Sequence, residues 1–158
     1  MKKAFLIFSL AIFSLCVFGV EARAQKSVEP KIQRDTALEA DAIHNLQVAR
    51  QYFDLKKAYK ASLLRCEEII AANPEFSRID EVYYLIGLSS YYLAEGKGKQ
   101  KIDLTKLNED QKLKFAPEKL REDAVATLSL LVEKFPQSQF KPQAEKALKE
   151  IESKNGKR

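Results

Sequence analysis

One histidine, His44, and two cysteines, Cys16 and Cys66, are all the imidazole and thiol groups in 158 residues. A metal site held by such ligands needs several at short spacing, and none are spaced that way. Hydrolysis needs a nucleophile, a base and oxyanion donors. No such set assembles around His44, and the adjacent Glu67-Glu68 lie on a helical segment with an apolar other side, so they read as a solvated face. Glycine is scarce, and the stretch Gly96-Lys97-Gly98-Lys99 lacks the G-x-x-x-x-G-K-[ST] spacing of a phosphate loop. No segment alternates with period two for long enough to argue a strand. A non-catalytic chain with no cofactor and no metal is expected. The net charge is +5, and without Lys2, Lys3, Glu21 and Arg23 the remainder holds 24 basic and 21 acidic side chains, with the signs interspersed. Nucleic acid, which wants basic residues clustered on one face, is not an expected partner.

What is present begins with a leader. Lys2 and Lys3 precede the apolar run Ala4 to Val20, and Ala22-Arg23-Ala24 fits an A-x-A cleavage site. This is the order of a secretory signal peptide over residues 1–24, cleaved after Ala24 with Ala22 as its second small residue. An uncleaved anchor is the alternative, although the run is short against the ~20 residues of a spanning helix. Leu15 is bulkier than the small residue that precedes a lipidated cysteine, so lipidation at Cys16 is not expected. Cys66 is then alone, no internal disulfide forms, and its place on an apolar stripe gives it the role of a small buried hydrophobe.

Residues 25–36 are polar, contain Pro30 and read as a flexible leader. Five helical stripes follow. Thr36 and Glu39 fit a capping box, and Leu38, Ala42, Leu46, Ala49 and Phe53 give a helix running to about Asp54. Tyr59, Leu63, Cys66 and Ile70 give a second, closed at Asn73-Pro74. Ser77 to Asp80 is another capping-box-like start, and Val82, Leu85, Ile86, Ser89 and Leu93 continue a third helix to near Gly96. A fourth starts at Pro117 and runs to Phe135. A fifth starts at Pro142 and carries Ala144, Ala147, Leu148 and Ile151. The helical domain spans 37–152, with a polar tail over 153–158.

The second and third stripes repeat in the fourth and fifth. Superposing Pro74 on Pro136 sets Ser62 on Ala124, Cys66 on Leu128 and Ile69 on Leu131; beyond the break, Val82 meets Ala144, Leu85 meets Ala147 and Ser89 meets Ile151. The register survives the break, so one unit is used twice. The 62-residue offset exceeds the ~34 of a tetratricopeptide repeat because residues 95–116 are inserted where that repeat has a tight turn.

These residues resemble a tetratricopeptide array. Ser62 and Ala124 stand where that repeat wants a small residue twelve before its closing proline, Tyr59 precedes Ser62 by three, and Gly87 offers a small residue for a close approach. More narrowly, residues 49–87, with their A-Y-x-A turn and R-x-x-x-I-I…P helix, resemble the BamD (YfiO) outer-membrane assembly lipoproteins. The stretch FPQSQFKPQAEKAL is equally similar to the C-terminal repeats of the periplasmic Tol-Pal coordinator. Members of the BamD family carry a lipobox cysteine and about five repeats, whereas Leu15 precedes Cys16 here and two helix pairs plus a closing helix are found. The resemblance implies an all-α, tetratricopeptide-like hairpin array in the periplasm or at the outer membrane. Its partner would be a protein or peptide of the cell envelope, in outer-membrane assembly or envelope maintenance. Membrane contact would be indirect or through an uncleaved N-terminus.

In such arrays the first helices of the pairs line a concave binding face. The third helix carries a second apolar stripe, Tyr84, Leu88 and Tyr91, which either packs against its neighbours or faces a partner. In the insert, Lys97, Lys99 and Lys101 lead a lysine-rich segment that reads as a solvated mobile loop or as a docking element for an acidic partner or lipid headgroups. Self-association is the alternative to an adaptor, because a short array leaves apolar terminal faces.

Overall fold

A computed structural model describes residues 35–155, which form six α-helices and no strand. They are α1 (Thr36–Arg50), α2 (Tyr59–Ala72), α3 (Ile79–Ala94), α4 (Glu109–Lys114), α5 (Pro117–Lys134) and α6 (Lys141–Asn155). The expected signal with Ala22 and Ala24, Cys16, and the leader up to residue 34 lie outside the described residues.

The helices stack in sequence, α1 on α2, α2 on α3, α3 on α5 and α5 on α6. Helix α3 also touches α1 on one side and α6 on the other. Two antiparallel pairs, α1/α2 and α3/α5, and the closing helix α6 therefore make the expected tetratricopeptide-like array. Six pairs matched by the 62-residue superposition are buried on both sides, Ser62 with Ala124, Cys66 with Leu128, Ile69 with Leu131, Val82 with Ala144, Leu85 with Ala147 and Ser89 with Ile151. In the matched pairs Leu63 with Val125, Ile70 with Val132 and Ile86 with Leu148, the residues Val125, Ile70, Val132 and Leu148 are partly buried.

The break itself repeats as well. Asn73 N donates to Ile69 O at 2.8 Å and Phe76 N to Asn73 O at 3.2 Å; 62 residues on, Phe135 N donates to Leu131 O at 2.9 Å and Ser138 N to Phe135 O at 2.9 Å. Both helix-closing residues are non-helical because a proline follows them (Asn73 at φ −143°, Phe135 at φ −123°). Each turn is then tied to the first helix of its own pair. Glu39 of α1 accepts from Ser77 N at 3.2 Å and Asn73 Nδ2 at 3.3 Å, and Asp80 of α3 accepts from Ser138 Oγ at 2.6 Å.

This use of Glu39 corrects the expected capping box. Asp35 is the N-cap of α1, its Oδ1 accepting from Ala37 N at 2.8 Å and Leu38 N at 3.3 Å, which leaves Glu39 for the turn. The capping-box start at Ser77 is corrected too, since α3 begins after Arg78 with no side-chain cap. Helix α6 starts at Lys141 and runs through Asn155, so residues 153–155, expected in the polar tail, are helical.

Beyond Arg50 the first helix widens into a single π-helical turn, Gln51–Leu55, before Lys57 adopts φ +50°. A lysine in the left-handed region costs about 1–2 kcal/mol and is held by tertiary contact. Lys99 N donates to Lys57 O at 2.9 Å. Gly98, at φ +95°, permits this meeting, because a Cβ there would lie 2.6 Å from Lys57 O and 2.7 Å from the Tyr59 ring. The Gly-Lys-Gly-Lys stretch serves close backbone approach.

Helices α3 and α5 cross closely at Gly87, where a Cβ would sit 2.5 Å from Leu128 Cγ and 2.7 Å from its Cδ2. We predict that Gly87→Ala destabilises the domain by about 1–3 kcal/mol through overpacking. Leu128→Ala alone should cost about 2–5 kcal/mol. The double variant should lose less than the two costs added, because the new methyl enters the vacated space. Urea unfolding of the four proteins measures this coupling.

Candidate functional site

The face shared by α1, α3 and α6 is the place to look for a binding site, since the first helices of the pairs lie side by side there. Two residues one helical turn apart on α3 reach opposite neighbours. Glu81, buried, is the anchor towards α1: Arg50 Nε donates to its Oε1, and Arg78 Nη2 donates to its Oε2 at 2.6 Å. Removing either arginine would leave a buried carboxylate partly uncompensated, which makes this a clamp between the pairs. Tyr84 turns towards the start of α6, stacked on Phe140 with ring centroids 5.0 Å apart.

Further along α3 an aromatic cluster closes the gap to the end of α1. Phe53, from the π turn, meets Tyr59 at 5.2 Å and Tyr92 at 5.8 Å, and Tyr59 and Tyr92 lie 4.9 Å apart. Tyr91 faces α6, where its hydroxyl donates to Glu150 Oε1 at 2.8 Å and accepts from Lys154 Nζ at 2.7 Å. Lys154 also reaches Glu95 Oε2 at 3.2 Å, and Arg121 Nε reaches Glu95 Oε1 at 3.4 Å, so one network joins the C-terminal ends of α3 and α6 to α5. Burial pushes the Tyr91 hydroxyl above its ordinary range. Glu150 is held below the usual glutamate range by its bonds from Tyr91 and Lys154. For Glu95, burial pushes upward, but Lys154 and Arg121 outweigh it and the carboxyl sits low. Lys154 is raised by Tyr91, Glu150 and Glu95.

The expected partner-facing stripe is therefore largely interior. Tyr91 is 1% exposed and Leu88 7%, so the apolar circumference of α3 is used by packing on both sides, and only Tyr84 keeps a half-buried surface. Half-buried Tyr92, absent from the sequence reading, joins Tyr84 on this face. Its position after Tyr91 gave no signal of which ring would turn outward. Burial raises both hydroxyls, and each lies within electrostatic reach of the face's acids, Asp54 for Tyr84 and Glu150 for Tyr92.

Lys97, Lys99 and Lys101 are exposed. The insert that carries them is pinned rather than loose: it contains a short 3-10 turn, Leu104–Lys106, and α4, and it lodges Phe115 in the core with Ile102 and Leu107 packed beside it. Lys97 Nζ lies 5.5 Å and 5.0 Å from the Tyr91 and Tyr92 ring centroids, a cation–π arrangement linking insert and tyrosine face. His44 is exposed on α1; Glu67 pairs with Lys114 at 2.6 Å and Glu68 with Arg65 at 2.5 Å, the solvated face expected of them. Cys66 is buried, and burial pushes its thiol up to about 12, so it stays protonated and unreactive.

A carboxyl with a lowered pKa in the folded chain stabilises fully above its unfolded value, and that contribution disappears as pH falls through the folded value. Glu95 and Glu150 both lie below their ordinary 4.5. We predict that the destabilisation caused by Glu150→Gln is constant between about pH 7 and about pH 5 and shrinks below pH 4.5. Thermal melts of parent and variant across that range measure it.

Residues 40–155 match the family described as YfiO: Outer membrane lipoprotein. The matched stretch is well over half of the chain and takes in nearly all of the helical array, from α1 to the end of α6. No curated protein matches the chain, and no solved structure does. The family's description agrees with the periplasmic or outer-membrane-associated place expected from the leader. On the strength of that match, carried by the same two helix pairs and closing helix that build the tyrosine face, the chain belongs to the YfiO (BamD-like) family of outer-membrane lipoproteins.

Proposed function

We propose that the protein is an exported, non-catalytic adaptor that binds another protein of the cell envelope during outer-membrane protein assembly or envelope maintenance. The observation that carries this is the face of α3 between α1 and α6. Tyr84 and Tyr92 are half-buried there, each offering an apolar ring with a polar tip, the composition of interface anchors. A partner segment lies along α3 against this face, its apolar side chains on the two rings. Lys97, above Tyr92, gives the face a cationic edge that favours acidic side chains at one end of the segment.

Self-association is the second reading, and Leu38 and Ile43 support it: both lie on the terminal helix α1, 41% and 38% exposed. In that case a second copy covers α1 and lengthens the array.

Two measurements decide between them. Tyr91→Ala should cost about 3 kcal/mol or more, as for a fully buried ring, whereas Tyr84→Ala should cost about 1 kcal/mol and leave the fold intact. A photo-crosslinking amino acid at Tyr84, in the full chain expressed in its native host, should give adducts with outer-membrane assembly or Tol-Pal proteins, identified by mass spectrometry. Adducts with the protein itself, together with a concentration-dependent molar mass, would transfer the assignment to self-association. A folded crosslinking variant that yields no adduct at all would sink the adaptor reading.

A further inference from the structure

The described residues are electrically lopsided in a way the linear order conceals. Residues 52–62 and 95–116 hold nine lysines and five carboxylates. The remaining described residues hold ten lysines and arginines against fifteen carboxylates, so their balance is negative. The two basic segments are separated in the chain by the 32 residues 63–94 but meet in space through Lys99 N on Lys57 O at 2.9 Å and Ala61 N on Gln100 Oε1 at 3.3 Å. Lys60 lies over the Phe115 ring at 4.7 Å, which joins the start of α2 to the end of the insert. All these groups sit at one end of the array, where α1 and α3 finish and α2 and α5 begin.

Two features give this end a chemistry. Among the described residues, Lys57, Lys99 and Lys101 pair with no carboxylate and lie over no ring, so their ammonium groups are available, whereas Lys56 lies over the Tyr52 ring and Lys97 over Tyr91 and Tyr92. The two most exposed large hydrophobic side chains of the described residues are here as well, Leu55 at 74% and Leu113 at 70%. Leu104, 37% exposed, lines a cavity of about 290 Å³ with Lys97 and Lys101. These leucines project singly from turns and a short helix among lysines. An acidic protein would meet clustered apolar anchors, whereas the two most exposed leucines, Leu55 and Leu113, stand on separate elements, the π turn and α4. Separate apolar tips within a cationic field instead match a bilayer interface, where leucines enter the boundary of the acyl chains and lysines meet lipid phosphates.

We propose that this basic end, comprising the 55–57 turn and the 95–116 insert, docks directly on the surface of an anionic phospholipid bilayer. Leu55 and Leu113 enter the interface, and Lys57, Lys99 and Lys101 lie against the headgroups. The Gly98 approach to Lys57 holds the two segments at a common level, so that they engage together. This goes beyond the adaptor reading and is independent of it, because the tyrosine face can hold a partner whether or not this end meets lipid.

The chain has no tryptophan, so a single introduced indole reports its own surroundings in the full-length protein, whatever the N-terminal segment does. Leu55→Trp and Leu113→Trp would be mixed with vesicles of phosphatidylglycerol and phosphatidylcholine carrying brominated acyl chains. Gln139→Trp, in the exposed turn at the opposite end of α3, is the control. Indoles at 55 and 113 should shift to the blue and be quenched while that at 139 is not. Adding Lys99→Gln and Lys101→Gln should weaken this lipid-dependent quenching by about fivefold for each lysine, and ~0.5 M salt should weaken it similarly. Equal quenching at all three positions would overturn the proposal, since contact would then be unspecific. So would no quenching at 55 and 113. A blue shift with poly-glutamate in place of vesicles, and none with lipid, would also overturn it and assign this end to an acidic protein.

Discussion

Gly87 lets α3 lie against α5 closely enough that Leu128 fills the space a methyl would take, and the array hangs on that crossing. Twelve of the sixteen residues of α3 are buried, and the helix touches α1, α2, α5 and α6. Its buried hydroxyl at Ser89 finds no hydrogen-bond partner, but the ionisable groups it carries into the interior do. Glu81 does so through Arg50 and Arg78, and Tyr91 through Glu150 and Lys154. The same contacts that satisfy these groups fix the neighbouring helices. The clamp at Glu81 sets where α1 lies, and the Tyr91 network sets where α6 ends. Packing at α3 and the geometry of the tyrosine face are thus one constraint, because Tyr84 and Tyr92 can be presented only if the interior between them is locked.

The repeat was legible because core volume is what a superposition of sequences detects. Ser62 on Ala124 pairs two small residues and Cys66 on Leu128 two apolar ones, and the structure buries all four. The turns were legible through their prolines. Capping was not, because Glu39 had two possible uses that a local pattern cannot rank. In the folded chain Asp35 caps the helix, and the turn at Asn73 to Ser77, brought beside α1 by α2, takes Glu39. The π turn at Gln51–Leu55 leaves no periodic trace, since one widened turn merely shifts the stripe at its end. The second stripe on α3 was visible, but its outcome depended on neighbours. Phe140 and Glu150 belong to α6, and the helical period of α3 says nothing of how near they come.

Charge shows the same limit more sharply. Read along the chain, lysines and carboxylates alternate, and the excess looks diffuse. Folding places the two lysine-rich segments together because both are connections from the first to the second helix of a pair, and in such an array all connections of that kind fall at one end. Topology converts a mild linear bias into a segregated one. A sequence pattern can record either segment, but only the hairpin arrangement makes them neighbours.

The two ends of the array have consequently diverged. At the end where the second helix of one pair hands over to the next, the turns are held to a common form, with the same backbone hydrogen bonds at Asn73 and Phe135 and a carboxylate from the first helix of each pair closing both. Any change there disturbs the stacking of one pair on the next, since those bonds set the angle between pairs. At the other end the connection lies within a pair whose helices are already fixed by the core, so length and charge can vary without altering the stack. That is where the chain carries the widened π turn, the strained Lys57 and the 95–116 insert. The freedom to vary explains why exposed leucines and unpaired lysines accumulate at this end, and the 2.9 Å bond between Lys99 and Lys57 shows that the accumulated parts are nonetheless organised as one surface.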